Sequence, residues 1–263
     1  VIEDAAVKSA PPPWPPLLAA RGALSQSATH AHHGMHVVIA TRGSLSCRVH
    51  PETEFVESAG IITAPDVAHE IKTHGAEVLL VFIDPESRAG ATLCAGFEGA
   101  ARRITEQERG AIDTSLDPRA IMTGGGVAWT ASVLEALGVE APMRSATLHR
   151  SVRKALALVR DASPDAELSL SELAKNVGLS ESRLMHAFTE SVGIPLRPYL
   201  AWLRVQRAVV AIARGAPLSE SAQHAGFADA PHMTRTFRKM LGLTPSEIQR
   251  AILASPFKTD AGA

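Results

Sequence analysis

The sequence predicts an α+β protein, an N-terminal antiparallel β-barrel joined to a C-terminal all-α domain of two helix-turn-helix units, and three observations predict it. Short apolar, β-branched runs separated by Gly, Pro, Asp and Glu occur between Leu24 and Ile83. Helical periodicity takes over from Ile104. Near the C-terminus one pattern occurs twice. Ser171-Glu172, Ala174 and Gly178 return 48 positions later as Ser219-Glu220, Ala222 and Gly226. After one inserted residue, Leu184, Phe188 and Gly193 are answered by Met233, Phe237 and Gly242. Each copy reads as short helix, glycine turn, longer helix, the arrangement that lays its second helix in the major groove of DNA.

Taken in order, residues 1–23 hold Pro11-Pro12-Pro13-Trp14-Pro15-Pro16, which cannot join a helix or a central strand and predict an extended or disordered arm. Residues 24–100 form the barrel, with strand-like runs at 37–39, 45–49, 60–63 and 78–83. Residues 101–145 are a helical connector. In it Val127, Ala131, Leu134 and Leu137 share an apolar face, closed by Gly138 and Pro142. That stripe suits a homodimer contact or packing on the barrel. Residues 150–252 are the DNA-binding domain, with helices at about 151–161, 170–177, 181–192, 196–214, 218–225, 230–241 and 245–254. Ser169 with Glu172, and Thr244 with Glu247, have capping-box spacing, and Pro245 sits at the first helical position. Residues 256–263 read as a loose tail.

The formal net charge of −1 conceals an asymmetry. Residues 1–149 carry 11 Lys+Arg against 17 Asp+Glu, and residues 150–263 carry 15 against 10. A basic half suits phosphate, and an acidic half does not. The two cysteines, Cys47 and Cys94, lie in no zinc-ribbon or disulfide-framework spacing, so buried, inert thiols in a reducing compartment are expected. No apolar run of about 18 residues occurs, which predicts a soluble, cytoplasmic protein with no membrane partner.

The reading face follows from packing. In the first unit Leu184, Ala187, Phe188 and Ser191 must face the preceding helix, which leaves Ser182, Met185, His186 and Thr189 outward. In the second, Met233, Phe237 and Met240 go inward and leave Pro231, Thr234, Arg235 and Arg238. Arg235 is the strongest base-reading candidate, because a guanidinium donates two hydrogen bonds to guanine O6 and N7. The helix joining the units spans about 28 Å, near the separation of about 34 Å between successive major grooves on one side of a duplex.

The segment Gly226-Phe227-Ala228-Asp229, His232, Thr234-Arg235-Thr236-Phe237-Arg238, Gly242-Leu243-Thr244-Pro245 resembles the signature of AraC/XylS-type transcriptional regulators. Pro195, Tyr199-Leu200 and Trp202-Leu203-Arg204 fit the same family. The resemblance implies a seven-helix reader for double-stranded promoter DNA that works with RNA polymerase and a sensory N-terminal domain, and no catalysis. Ser221 departs from the family's apolar residue and is expected to loosen the second unit. His186 stands where many members have arginine.

His30-Ala31-His32-His33-Gly34-Met35-His36 with Gly43, then Gly60, Pro65 and His69, resemble the two cupin motifs, with His36 in place of the usual glutamate. The barrel is therefore expected to be cupin-like and to bind a small-molecule or metal effector. As ligands, His30, His32, His36 and His69 suit a divalent metal such as Zn, Ni, Cu or Fe, while His33 points away. The alternative is a metal-dependent cupin enzyme, a dioxygenase or isomerase. It leaves the C-terminal repeat unexplained.

Overall fold

The computed structural model describes residues 17–23, 26–87, 90, 93–94, 96, 99–121, 126–139, 149–162 and 169–254. Its N-terminal part is a two-sheet antiparallel barrel. The strands are β1 (Leu17–Ala23), β2 (Met35–Ala40), β3 (Leu45–Val49), β4 (Val56–Ser58), β5 (Gly60–Thr63), β6 (His69–Lys72), β7 (Glu77–Ile83) and β8 (Ala101–Ile104). The larger sheet runs β1-β7-β2-β5-β8 and the smaller β4-β3-β6. The four runs expected from sequence all lie in strands. The short β4 and β6, half exposed or polar, carry too little apolar signal to be seen beforehand.

Two expected boundaries move. The arm expected over 1–23 ends at Leu17, where the chain pairs with β7 in the register Leu17 to Ile83 through Ala23 to Glu77. Residues 1–16 lie outside the described ones. The connector expected from 101 starts later, because Ala101–Ile104 pairs with β5 as β8. Both edge strands are recruited by open hydrogen bonds on a neighbour, which a local pattern does not reveal.

The larger sheet is buried on both faces. Val38, Ala40, Ile61 and Val78 point inward to Leu45, Cys47, Val49 and Ile71. On the other face Met35, Val37, Ile39, Leu79 and Val81 pack against Trp129, Val133, Leu134 and Leu137. These last four belong to, or directly follow, helix α2 (Gly126–Ala136), which comes after α1 (Glu106–Ala111) and a single turn at Pro118–Ala120. The connector's apolar stripe is thus consumed within the chain, leaving Leu134 and Leu137 unavailable to a second copy. Ala131, assigned to the same stripe, is exposed, and the buried face centres on Trp129 and Val133 instead. Pro142, the side chain of Val127 and the tail at 256–263 lie outside the described residues. Cys47 is buried as expected, whereas Cys94 is exposed.

The C-terminal helices fall within a residue or so of their expected limits: α3 (Arg150–Asp161), α4 (Leu170–Val177), α5 (Glu181–Val192), α6 (Leu196–Ala213), α7 (Leu218–His224), α8 (Ala230–Leu241) and α9 (Pro245–Ala254). Ser169 and Glu172 form the reciprocal capping box, as do Thr244 and Glu247. The turn glycines recur because both Gly178 and Gly226 have positive φ, +73° and +78°, where a side chain is strained.

Candidate functional site

In the first unit, α4 holds α5 through Leu173, Ala174 and Val177 against Leu184 and Phe188. The opposite face of α5 presents Ser182, Met185, His186 and Thr189, all exposed. Met185, 45 % exposed, is one of two large apolar side chains left open among the described residues, and it stands on this reading face. In the second unit Met233 and Phe237 are buried and Met240 is half-buried, with Leu241 completing the inward face. Pro231, Arg235 and Arg238 are exposed and Thr234 is half-exposed. Thr189 and Thr234 each donate their hydroxyl to the carbonyl four residues back, Met185 and Ala230, at 2.9 Å. Their oxygens and methyl groups remain for a ligand. Ser221, expected to loosen the second unit, is fully buried and donates weakly to the Ala216 carbonyl at 3.4 Å. Helix α6, 18 residues and about 27 Å long, joins the units.

The four histidines converge. One ligand atom from each of His30, His32, His36 and His69 lies within 4.8 Å of the others, and all four side chains are buried. His36 stands on β2 and His69 on β6, while His30 forms an isolated bridge to His69 and His32 sits in the irregular approach to β2. Backbone carbonyls fix three of the rings. Nδ1 of His30, His32 and His69 lies 2.8, 2.7 and 2.8 Å from the oxygens of Ala28, Gly34 and Val67. Each must carry its proton on Nδ1, so each Nε2 keeps its lone pair. His36 Nδ1 then donates to His69 Nε2 at 3.1 Å, and Nε2 of both His32 and His36 is buried with no partner. Burial holds the imidazoles neutral: it lowers His30 to about 3, with help from His69, and pushes His32, His36 and His69 down as well. Neutral rings with aimed, unpaired nitrogens are a donor set for a divalent transition metal.

His33 is held apart, as expected. Burial opposes its charge, but hydrogen bonds to Asp66 at 3.0 Å and Glu86 at 2.5 Å outweigh that and raise its pKa to about 9. An apolar cavity inside the barrel adjoins the cluster. His30 and His36 line it together with Leu18, Val38 and Phe82, and the reader contributes Val209, Leu241, Leu243 and Ile248.

Sequence reasoning missed the groups that bind barrel to reader. Asp84, fully buried at the end of β7, accepts from Gln206 at 2.8 Å, Arg160 at 3.1 Å and Trp202 Nε1 at 3.3 Å. Burial raises its pKa against the pull of Arg160. Arg160 also donates to the Tyr199 hydroxyl at 3.1 Å. A lone aspartate after an apolar strand looks like a turn residue, and no spacing links it to partners 76 to 122 positions away.

The model of a helix-turn-helix domain matches residues 173–251. The arabinose operon regulatory protein of Escherichia coli is 29 % identical over 99 residues, 37 % of this chain and 34 % of that protein. An uncharacterised HTH-type transcriptional regulator of Staphylococcus aureus is 35 % identical over 82 residues, 31 % of this chain and 11 % of that one. The chain therefore spans about a third or less of these curated relatives. Unsaturated fatty acid bound wild-type ToxT from Vibrio cholerae shares the fold across both parts, with TM-score 0.56, 11 % identity, and coverage of 89 % of this chain and 95 % of that one. No described helix is long and apolar enough to cross a membrane. Residues 173–251 therefore form a helix-turn-helix domain similar to part of the arabinose operon regulatory protein, and the two-part fold is that of ToxT.

Proposed function

We propose that the protein is a promoter-specific transcriptional regulator whose paired helices α5 and α8 read double-stranded DNA while its barrel holds an effector. The observation that carries this is the exposure of both outward faces with the reader docked on the barrel. The barrel covers neither face, so DNA has access to Arg235 and His186 together. RNA polymerase is the partner through which such a protein acts. The regulator reading is favoured over a dioxygenase or isomerase because the repeat, its basic charge and the exposed reading faces serve DNA, and the histidine set includes no carboxylate.

The effector reading has two parts. The unpaired Nε2 atoms of His32 and His36 favour a divalent metal on the four histidines. The apolar cavity beside them favours an apolar small molecule, the class to which the fatty acid bound to ToxT belongs. Either acts only by binding unequally to two states of the protein.

Genome-wide mapping of bound DNA, with metal content measured on the same purified protein, is the experiment. Sharp peaks sharing a motif across two adjacent major grooves are the expected result. Absence of specific peaks alongside stoichiometric metal would move the assignment to an enzyme.

A further inference from the structure

We infer that the four-histidine site is an interdomain control site, in which a bound divalent metal sets how the reader docks on the barrel. This rests on the reading above that the histidines hold metal. The site lies against the reader at two places, and glycine makes room at both. His32 stacks on Trp202 of α6, with ring centroids 5.4 Å apart and planes inclined by 19°. A Cβ on Gly34 would lie 2.6 Å from Trp202 Cζ2, so only bare backbone admits the indole. The second place is the end of recognition helix α8. Gly242, at φ +64°, donates no side chain into the space where a Cβ would lie 2.5 Å from the Ala28 oxygen and 2.8 Å from His30 Nδ1. Ala28 N–H donates to the Gly242 carbonyl at 3.2 Å. The histidine loop thus touches both the helix that joins the two units and the reading helix of the second.

Metal has to move these rings. Imidazole nitrogens about 2.0 to 2.1 Å from a tetrahedral ion sit roughly 3.3 Å from one another. Here the donor atoms reach 4.8 Å apart. Closing that gap displaces rings of a cluster whose His30 and His32 pack against Gly242 and Trp202. The neighbouring rings are coupled to the same motion: His36 stacks on Phe82 at 4.5 Å, and Phe82 meets Trp202 edge-on at 5.5 Å. Close-packed interfaces answer such displacements by changing arrangement rather than by stretching. The ion also brings charge that no ligand neutralises, since the nearby Glu70 is already paired with Arg48 at 2.6 Å. Metal is therefore expected to loosen the docked reader.

The test uses the full chain with Zn²⁺ and Co²⁺ as probes. Metal bound per chain and amide hydrogen exchange are followed in one titration. We expect one metal per chain, and exchange over 199–206 and at the C-terminal end of α8 to quicken by about 5-fold or more on loading, a typical size for coupling between sites. Gly34→Ala should bind the same metal yet exchange quickly in 199–206 with or without it, because its Cβ displaces Trp202. Trp202→Phe keeps an aromatic ring but gives up the bond to Asp84, and its metal response should shrink. Uptake by the wild type with unchanged exchange would overturn the control and leave the metal reading standing. No uptake at all would overturn the metal reading and the control with it. A wild-type metal response in both variants would show that the route does not run through Trp202.

Discussion

The two helix-turn-helix units share a pattern but not a core. The first is self-contained: Phe188 and Leu184 pack with Leu173, Val177 and Val152, Leu156 and Val159 of α3, all from the reader. Side chains cap both its helices, Ser169 on α4 and Ser180 on α5. The second borrows. Phe237 and Met233 share a cluster with Leu18 and Phe82 of the barrel as well as Trp202 and Val209 of α6. Its leading helix α7 starts at Pro217 with no side-chain cap and ends at Ala225 in a right-handed conformation. Whatever happens inside the barrel therefore reaches the apolar core of the second unit directly, while the first keeps an apolar core of its own and meets the barrel through Arg160 with Asp84 and Tyr199 with His33. One unit is built to hold its shape, and the other to depend on its neighbour.

The largest expected effects come from the two phenylalanines. Phe188→Ala and Phe237→Ala each remove a fully buried ring and should cost about 3–5 kcal/mol. They should differ in where the damage appears. In hydrogen exchange, Phe188→Ala should unprotect α4 and α5 and leave β1 and β7 protected, whereas Phe237→Ala should unprotect those strands too. Equal confinement of both would erase the contrast between the units.

Asp84→Ala should come next, at about 3–5 kcal/mol, because it takes the nearer carboxylate from the largely buried Arg160, leaving Glu86 at 3.6 Å, and strips bonds from Trp202 and Gln206. Thermal melting that splits into separate barrel and reader transitions is the expected signature. A single transition at the wild-type temperature would mean that the buried carboxylate does not hold the parts together.

Arg235→Ala should cost about 1–3 kcal/mol and relax preference at one base pair, measured on a panel of single-base variants of the selected site. Uniform loss on every variant would make Arg235 a phosphate contact. Smallest is Ser169→Ala, which removes a capping box from the first unit and should cost about 1 kcal/mol in denaturant unfolding. No change there would remove capping as a reason for the first unit's independence.

Much of this was legible in the sequence for a local reason. The reader helices are bounded by their own caps and glycines, and their apolar residues repeat at helical spacing, so Ser169, Gly178, Pro245 and Gly242 mark ends without reference to the rest of the chain. The outward faces of α5 and α8 followed from the inward ones. The four histidines were legible as a set through the resemblance to the two cupin motifs, which joins His69 to a cluster 33 positions earlier. The edge strands β1 and β8 were not, because an edge is defined by the strand beside it. Nor was the dependence of the second unit on the barrel.

By itself, then, the sequence determined which segments are helices and which helix faces can meet DNA, since these rest on periodicity, capping and side-chain chemistry within short windows. Only the tertiary structure decided that α2 spends its apolar stripe on the barrel, that Asp84 joins partners from α3 and α6, and that the histidine loop lies against Trp202 and Gly242. Those contacts join residues far apart in the chain, and complementary shape and buried hydrogen bonding, which no local pattern encodes, select them.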